Sequence, residues 1–573
     1  MKDTQYKRFY SGDFRDYNLR ERGGSQDLKG TLSAPSGWRA RTPDTTAVRN
    51  ATATNQTLLS QRKVQVSEHA HVRILDDARL LPGGLHQPKH DKRLPYYSER
   101  YVAAPGKFNG KAYFDGGSSE KDRIVCRHLA TRFISEARTA AKLLPHQLFG
   151  SKELIARNVR RDIEVEYERM TEKASEKHIV SNDRFGLHLS SFFRSMQSGE
   201  KKHFLVLSDD HVMALELHRK PGKAGERDGY VVRFFDPNRT DVKVRCQLDN
   251  PAGFENTQYA LRHFLGDSYY KAYFRANEKE VILFDCMDTT GMQQPRFVTV
   301  EAESKHGVSE MLLHQLLRYG GDQAAFDTVR QRMEAIPDAA ERHRLLEAKD
   351  ADGVPGLYMA LQNNRAIAID AFGALLKALD STPKERKAFL PGLLAARRAD
   401  GVPGLNVALQ YNQAAAITAF GALLKSLDLK PEERAAILPD LLKAGCPREN
   451  VPGLHKALQY NQVAAIDAFG GLLRGLNLTE KERDAFLLEL LESKDIYSVP
   501  GPCTAFYNNK ASALEAYGAL LNMLSSAQAS AMLDTLRAGR LICEIVHKAD
   551  ERTKDAYCKL ERQLQLQAEK QPA

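Results

Sequence analysis

Short apolar runs separated by polar turns fill the stretch from residue 96 to 305. HFLVLS (203–208), VMALEL (212–217), YVVRFF (230–235) and EVILFD (280–285) are brief and rich in β-branched and aromatic residues, which predicts strands. Ahead of them, IVCRHLATRFISEARTAAKLL (124–144) places Leu129, Phe133, Ala137, Ala140 and Leu144 on one helical face. A helix followed by strands is an α+β arrangement.

From about residue 307 the pattern becomes helical and recurs. Copies of the form G-V-P-G-L-x-x-A-L-Q begin at Gly353 and Gly401, one without the leading Gly begins at Val451, and a looser copy begins at Val499. Their prolines, Pro355, Pro403, Pro452 and Pro500, are 48, 49 and 48 residues apart. A fixed period over this length signals stacked repeats, and the degenerate copy from Gly307 reads as a capping unit. Within a unit, Pro355 suits a first helical turn. Leu357, Ala360 and Leu361 stripe the first helix, Asn363 and Asn364 form a turn, and Ile367, Ala371, Leu375 and Leu376 line a second helix. Thr382, Pro383 and Glu385 read as N-cap, N1 and N3 of a capping box that opens a third helix; Thr479 and Glu482 repeat it, and Lys430 interrupts it.

Residues 1–95 lack this order. SGWRARTPDTTAVRNATATNQT (36–57) is polar and aperiodic, and HVRILDDARLL (71–81), the one apolar patch, suits either a short helix or a docking segment. The expected division is a disordered basic leader over 1–95, an α+β domain over 96–305, a helical array over 306–545 and a charged helix or tail over 546–573. The whole chain of 573 residues carries a net charge of +10. Residues 1–100 hold 18 Lys and Arg against 11 Asp and Glu, or +7 of that total, so the folded part offers no basic stripe for nucleic acid. No apolar run is long enough for a membrane span, and the polar N-terminus has no h-region of a Sec signal.

Seven cysteines are scattered, with no CxxC and no Cys/His cluster at zinc spacing. No metal or other cofactor is expected, and reduced thiols leave room for a nucleophile. Cys126 opens the 124–144 helix, where the dipole favours a thiolate, and Arg123 and Arg127 would add to this if they point the same way. A cysteine nucleophile needs a base and a group that orients the base. His211 immediately precedes VMALEL and Asp236 immediately follows YVVRFF. If these runs form an antiparallel hairpin, 211 lies opposite 236 and the imidazole meets the carboxylate. On residues alone, His211 also fits an acidic surface turn beside Asp209 and Asp210, and Asp236-Pro237-Asn238 an ordinary turn. His128 points away from Cys126 on a helix, and Cys286 follows a strand end.

DRIVCRHLA (122–130), HVMALELH (211–218) and RFFDPN (233–238), in this order and followed by the helical copies, resemble the signature blocks of a family of type III secreted effectors. It is the family of the second Shigella enterotoxin and EspL, cysteine proteases with C-terminal ankyrin-like repeats. The resemblance covers about residues 96–530. It implies a papain-like domain with Cys126 as nucleophile, His211 as general base and acid, and Asp236 as the group that orients His211. It also implies delivery into the host cell cytoplasm with the help of a secretion chaperone. The implied substrate is a host signalling protein, of the RHIM-bearing class in necroptosis and inflammation, selected by the repeats. Two features depart from the family: the leader is long, and the period of 48–49 exceeds the roughly 33 of ankyrin. Deamidation or transglutamination by the same three residues, and a non-catalytic adaptor, are the competing expectations.

Overall fold

In the computed structural model the described residues are 108–570, apart from 120–121, 140–144, 210, 241, 275–277, 287–295, 351, 380–381, 447–450 and 547–548, together with two strands at Ile74–Leu75 and Tyr96–Arg100. Most of the stretch read as a leader lies outside them, as do Ala140 and Leu144. The chain forms two compact units, Met1–Pro295 and Arg296–Ala573.

The first unit runs β1 (Ile74–Leu75), β2 (Tyr96–Arg100), β3 (Ala112–Tyr113), β4 (Arg123–Ile124), α1 (Cys126–Thr139), α2 (Pro145–Phe149), α3 (Lys152–Asn158), α4 (Ile163–Glu172), β5 (Glu176–Ser181), α5 (Phe185–Ser195), β6 (Lys201–Leu207), β7 (Val212–Lys220), β8 (Gly229–Phe235), β9 (Val242–Leu248), α6 (Leu261–Leu265), α7 (Asp267–Tyr273) and β10 (Glu280–Asp285). Its main sheet has the order β1-β2-β9-β8-β7-β6-β10-β5; the β1–β2 pair is parallel and the other neighbours are antiparallel. Ile74 and Leu75, inside the stretch read as a leader, therefore contribute backbone to a sheet. A mixed helix-and-sheet unit, followed by one that is helical after its opening strand Arg296–Val300, is the α+β arrangement that the apolar pattern implies.

The sheet is covered on both faces, which explains why its strands read as continuous apolar runs. Met213, Leu215 and Leu217 alternate onto one face with Phe204, Val232 and Phe234, against Phe185, Leu189 and Phe193 of α5 and Phe264 of α6. On the other face Phe235 stacks on Phe133 of α1, with ring centroids 4.7 Å apart, and on Phe149 of α2.

The β7–β8 hairpin is longer than the sequence reading has it, and its register differs. Ala214 faces Phe235 and Glu216 faces Arg233, so 211 extrapolates to 238 rather than 236. The displacement is two residues. A slip of one would have sent His211 and Asp236 to opposite faces, whereas a slip of two keeps them on one face as diagonal neighbours within side-chain reach.

In the second unit each 48–49-residue period holds three helices. Gly356–Gln362, Ala366–Ala378 and Pro383–Ala395 form one such unit, and the three that follow start at Gly404, Gly453 and Gly501. Glu310–Tyr319, Gln323–Glu334 and Ala339–Leu346 form an earlier one. Each helix packs on its counterpart in the next unit. Pro355 stands just before its helix, as the capping residue in extended backbone, and not within the first turn. Thr382 and Glu385 form the reciprocal capping box read from the sequence, as do Thr479 and Glu482. At Lys430 only half survives: its amide donates to Glu433 (2.9 Å), but an ammonium cannot accept the return bond.

Two devices join the units. Asn364, Asn412, Asn461 and Asn509 all lie in the left-handed region, with φ between 56° and 61°. Their Oδ1 atoms accept the amides of Ala416, Ala465, Ala513 and Asp550 in the next unit, at 2.9–3.0 Å. The glycine after each proline permits close approach: a Cβ on Gly453 would lie 2.7 Å from Leu409 Cδ1 and 3.2 Å from Asn406 Cα. At the far end Glu551–Ala568 buries Ala556, Tyr557, Leu560 and Leu564, so this charged segment is a packed helix.

Candidate active site

The chain turns into α1 at Cys126, where the amides of His128 and Leu129 both bond the Val125 carbonyl. His128, two residues on, belongs to the helix start. Its Nδ1 accepts from the Val125 amide (3.0 Å) and its Nε2 meets Glu164 Oε1 (2.5 Å). Arg127 also turns to Glu164, through Nε to Oε2 at 3.1 Å and Nη2 to Oε1 at 2.6 Å. Burial works to raise the Glu164 carboxyl, but His128 and Arg127 bring it down to about 2. Arg127 is therefore paired with a carboxylate on α4, while its charge also acts on Cys126. Sequence alone did not reveal that carboxylate.

His211 closes the turn from β6 into β7. Its amide donates to Ser208 Oγ (3.1 Å) and its carbonyl accepts from the Ser208 amide (3.0 Å). Its Nε2 lies 2.9 Å from Asp236 Oδ1. The carboxylate holds a proton on Nε2, which leaves Nδ1 as the basic nitrogen. Val212, the next residue, donates its amide to Cys126 Sγ at 3.4 Å. The structure thus gathers Cys126, His211 and Asp236 at one end of the sheet, and all three are buried, at 1%, 4% and 5% exposure.

Asp236 caps the 3₁₀ turn Pro237–Arg239, taking the Asn238 amide on Oδ1 (2.9 Å). The Tyr273 hydroxyl reaches both of its oxygens, at 3.0 and 2.9 Å. Burial acts to raise the Asp236 carboxyl; the bond from His211, the Arg239 charge and the Asn238 amide outweigh it and hold the group below the usual carboxylate range. Cys286 is buried beyond β10 and donates to the Phe284 carbonyl (3.3 Å), while burial pushes its thiol up to about 12. Tyr273, Asn238 and Asn109 were not singled out from the sequence. Asn238 stood in view within the D-P-N turn, whereas nothing in SYYKAY marks Tyr273.

Among the described residues no His/Cys/Asp/Glu group could hold a metal ion, and no helix is long and apolar enough to cross a membrane. What the site can do chemically is nucleophilic: a helix-start thiol, an imidazole with one basic nitrogen, and a carboxylate that fixes the imidazole.

Residues 76–350, just under half of the chain, match the family described as ShET2 enterotoxin, N-terminal region. Two curated relatives are similar to it. The effector protease OspD3 of Shigella flexneri is 28% identical over 295 residues, which is 50% of this chain and 49% of that protein. Ankyrin repeat protein A of Escherichia coli strain K12 is 24% identical over 273 residues, 46% of this chain and 36% of that protein. The chain therefore matches about half the length of the first relative and about a third of the second.

Proposed function

We propose that the chain is a type III secreted effector that acts as a papain-like cysteine protease on host signalling proteins, with the helical array selecting the target. The observation that carries this reading is the meeting of His211 Nε2 with Asp236 Oδ1 at 2.9 Å, one residue from the amide that contacts Cys126 Sγ. A nucleophile at a helix start packed on an antiparallel sheet, with base and orienting carboxylate at the ends of adjacent strands, supports the papain-like reading. The name of the Shigella relative, an effector protease, supports the same reading.

In this reading Asp236 orients His211, and Nδ1 takes the Cys126 proton. The sulfur adds to the carbonyl carbon of the scissile bond, and the developing oxyanion is met by donors at the α1 start, the Cys126 amide among them. His211 returns the proton to the leaving amine, and water hydrolyses the thioester. Cys126 is buried, so the peptide reaches it only when neighbouring segments part. RHIM-bearing host proteins are the substrates to try first, a secretion chaperone is the partner before delivery, and the host cell cytoplasm is the place of action. The ankyrin likeness of the E. coli relative's name extends to the stacking of helical units and not to the three helices per unit seen here.

The test is a search for new N-termini in host-cell lysate treated with the native protein or with Cys126→Ala. The expected result is a set of cleavages that falls roughly a thousandfold or more in rate with the variant. Glutamine converted to glutamate or to an isopeptide, with no new N-termini, would establish the deamidase or transglutaminase reading instead. Full activity of Cys126→Ala inside host cells would leave only the adaptor.

A further inference from the structure

Asp236 receives more than a triad requires. Its Oδ1 takes His211 Nε2, the Asn238 amide and the Tyr273 hydroxyl, and its Oδ2 takes that hydroxyl again. A phenol has one proton to give. Asn238 Nδ2 donates to the Tyr273 oxygen (2.9 Å), which occupies it as an acceptor and leaves its hydrogen directed at the carboxylate. Asn238 Oδ1 is in turn held by Asn109 Nδ2 (2.8 Å), from the turn ahead of β3. Asn109, Asn238 and Tyr273 thus donate in series toward one buried charge. The ring of Tyr273 has a second contact. It lies against the His211 imidazole, with centroids 4.2 Å apart and planes 27° from parallel. Tyr273 itself is fixed as the last residue of α7, buried in the cluster that holds Phe264 and Phe274.

We propose that Tyr273 is a positioning residue of the triad: its ring is the plate that sets the plane of His211, and its hydroxyl holds Asp236 in the orientation His211 needs. This inference rests on the cysteine-protease reading. Burial, together with the neighbouring Asp236 charge, raises the phenol well above its ordinary value, so it stays protonated as a donor throughout the neutral range. The ring and the hydroxyl are separable. Tyr273→Phe keeps the plate and removes one donor. Tyr273→Leu removes both.

The experiment alkylates the full chain with iodoacetamide as a function of pH and follows Cys126 by peptide mapping. The thiolate displaces iodide and forms a thioether, so the rate reports the thiolate–imidazolium pair without a known substrate. In Tyr273→Phe the carboxylate, having lost a donor, becomes the stronger partner for imidazolium; the imidazolium keeps its proton to higher pH, and the upper midpoint of the profile moves up by about half a pH unit. In Tyr273→Leu the imidazole is no longer held, and alkylation at neutral pH slows roughly tenfold, with Phe recovering most of that loss. Native midpoints in both variants, when His211→Ala abolishes the native profile, would overturn the role of Tyr273 and leave the triad standing. Failure of Cys126 to react at any pH, or a profile indifferent to His211→Ala, would sink the parent reading instead. If thermal melting shows that the Leu variant does not fold, the Phe midpoint decides alone.

Discussion

The sheet unit and the helical array use their polar residues in opposite ways. In the array each polar device is written several times: an asparagine in the left-handed region, a glycine where two helices nearly touch, a threonine and glutamate at a helix start. Each recurs at one period and does one structural task. In the sheet unit polar groups are used once, and several sit where apolar ones would be expected: His178, His203, Glu216 and Asp285 are all buried. A repeated polar residue marks a joint, whereas a buried polar residue used once marks a site or a cost in stability.

At neutral pH the largest effect that tests this contrast is at a joint. Gly453→Val places branched carbon where Leu409 and the Asn406 backbone already lie, and should destabilise the array by about 3 kcal/mol. Urea unfolding followed by circular dichroism reads the loss, and hydrogen exchange should place it in the helices around 453 rather than in β6–β8. An unchanged midpoint would mean that the close approach is dispensable.

The next effect belongs to the sheet. Burial, with His188 and Lys202 close by, pushes the His178 imidazole down to about 3, and burial with Arg138 and Lys201 pushes that of His203 down to about 4, from an ordinary 6.5. Below pH 6.5 the unfolded chain binds protons that the folded sheet refuses. Stability is therefore complete above that pH and falls as pH drops toward the folded values, by about 1.4 kcal/mol per pH unit for each imidazole. Strands β5 and β6 should lose exchange protection in this window before the array does, and His178→Phe should flatten the dependence. The smallest effect is a gain. Lys430→Thr supplies the acceptor missing from one capping box and should raise stability by about 0.5–1 kcal/mol; no change in melting would deny that the interrupted box costs anything.

This contrast also accounts for how far the sequence could be read. Strands β6, β7, β8 and β10 were legible because they are apolar on both faces, and β10 was bounded to the residue. β5, EKHIVS, was not: it buries Lys177, His178 and Ser181, and a polar strand inside a sheet has no apolar signature. Of the site, Cys126, His211 and Asp236 were legible through local signals, a helix start and two strand ends. Their meeting was inferred from a hairpin whose register was two residues off, and the parity of the strand preserved the inference. Tyr273 and Glu164 were hidden because each joins the site only through tertiary packing, 37 residues from Asp236 and 36 from His128.

The asparagine joints have an evolutionary consequence. Asn364, Asn412 and Asn461 each present the same oxygen to the same place in the next unit. Such connectors are interchangeable, so a gene can gain or lose one whole block by unequal crossing-over without leaving a mismatched seam. A surface of this kind can be lengthened or shortened from one lineage to another while the sheet unit stays as it is.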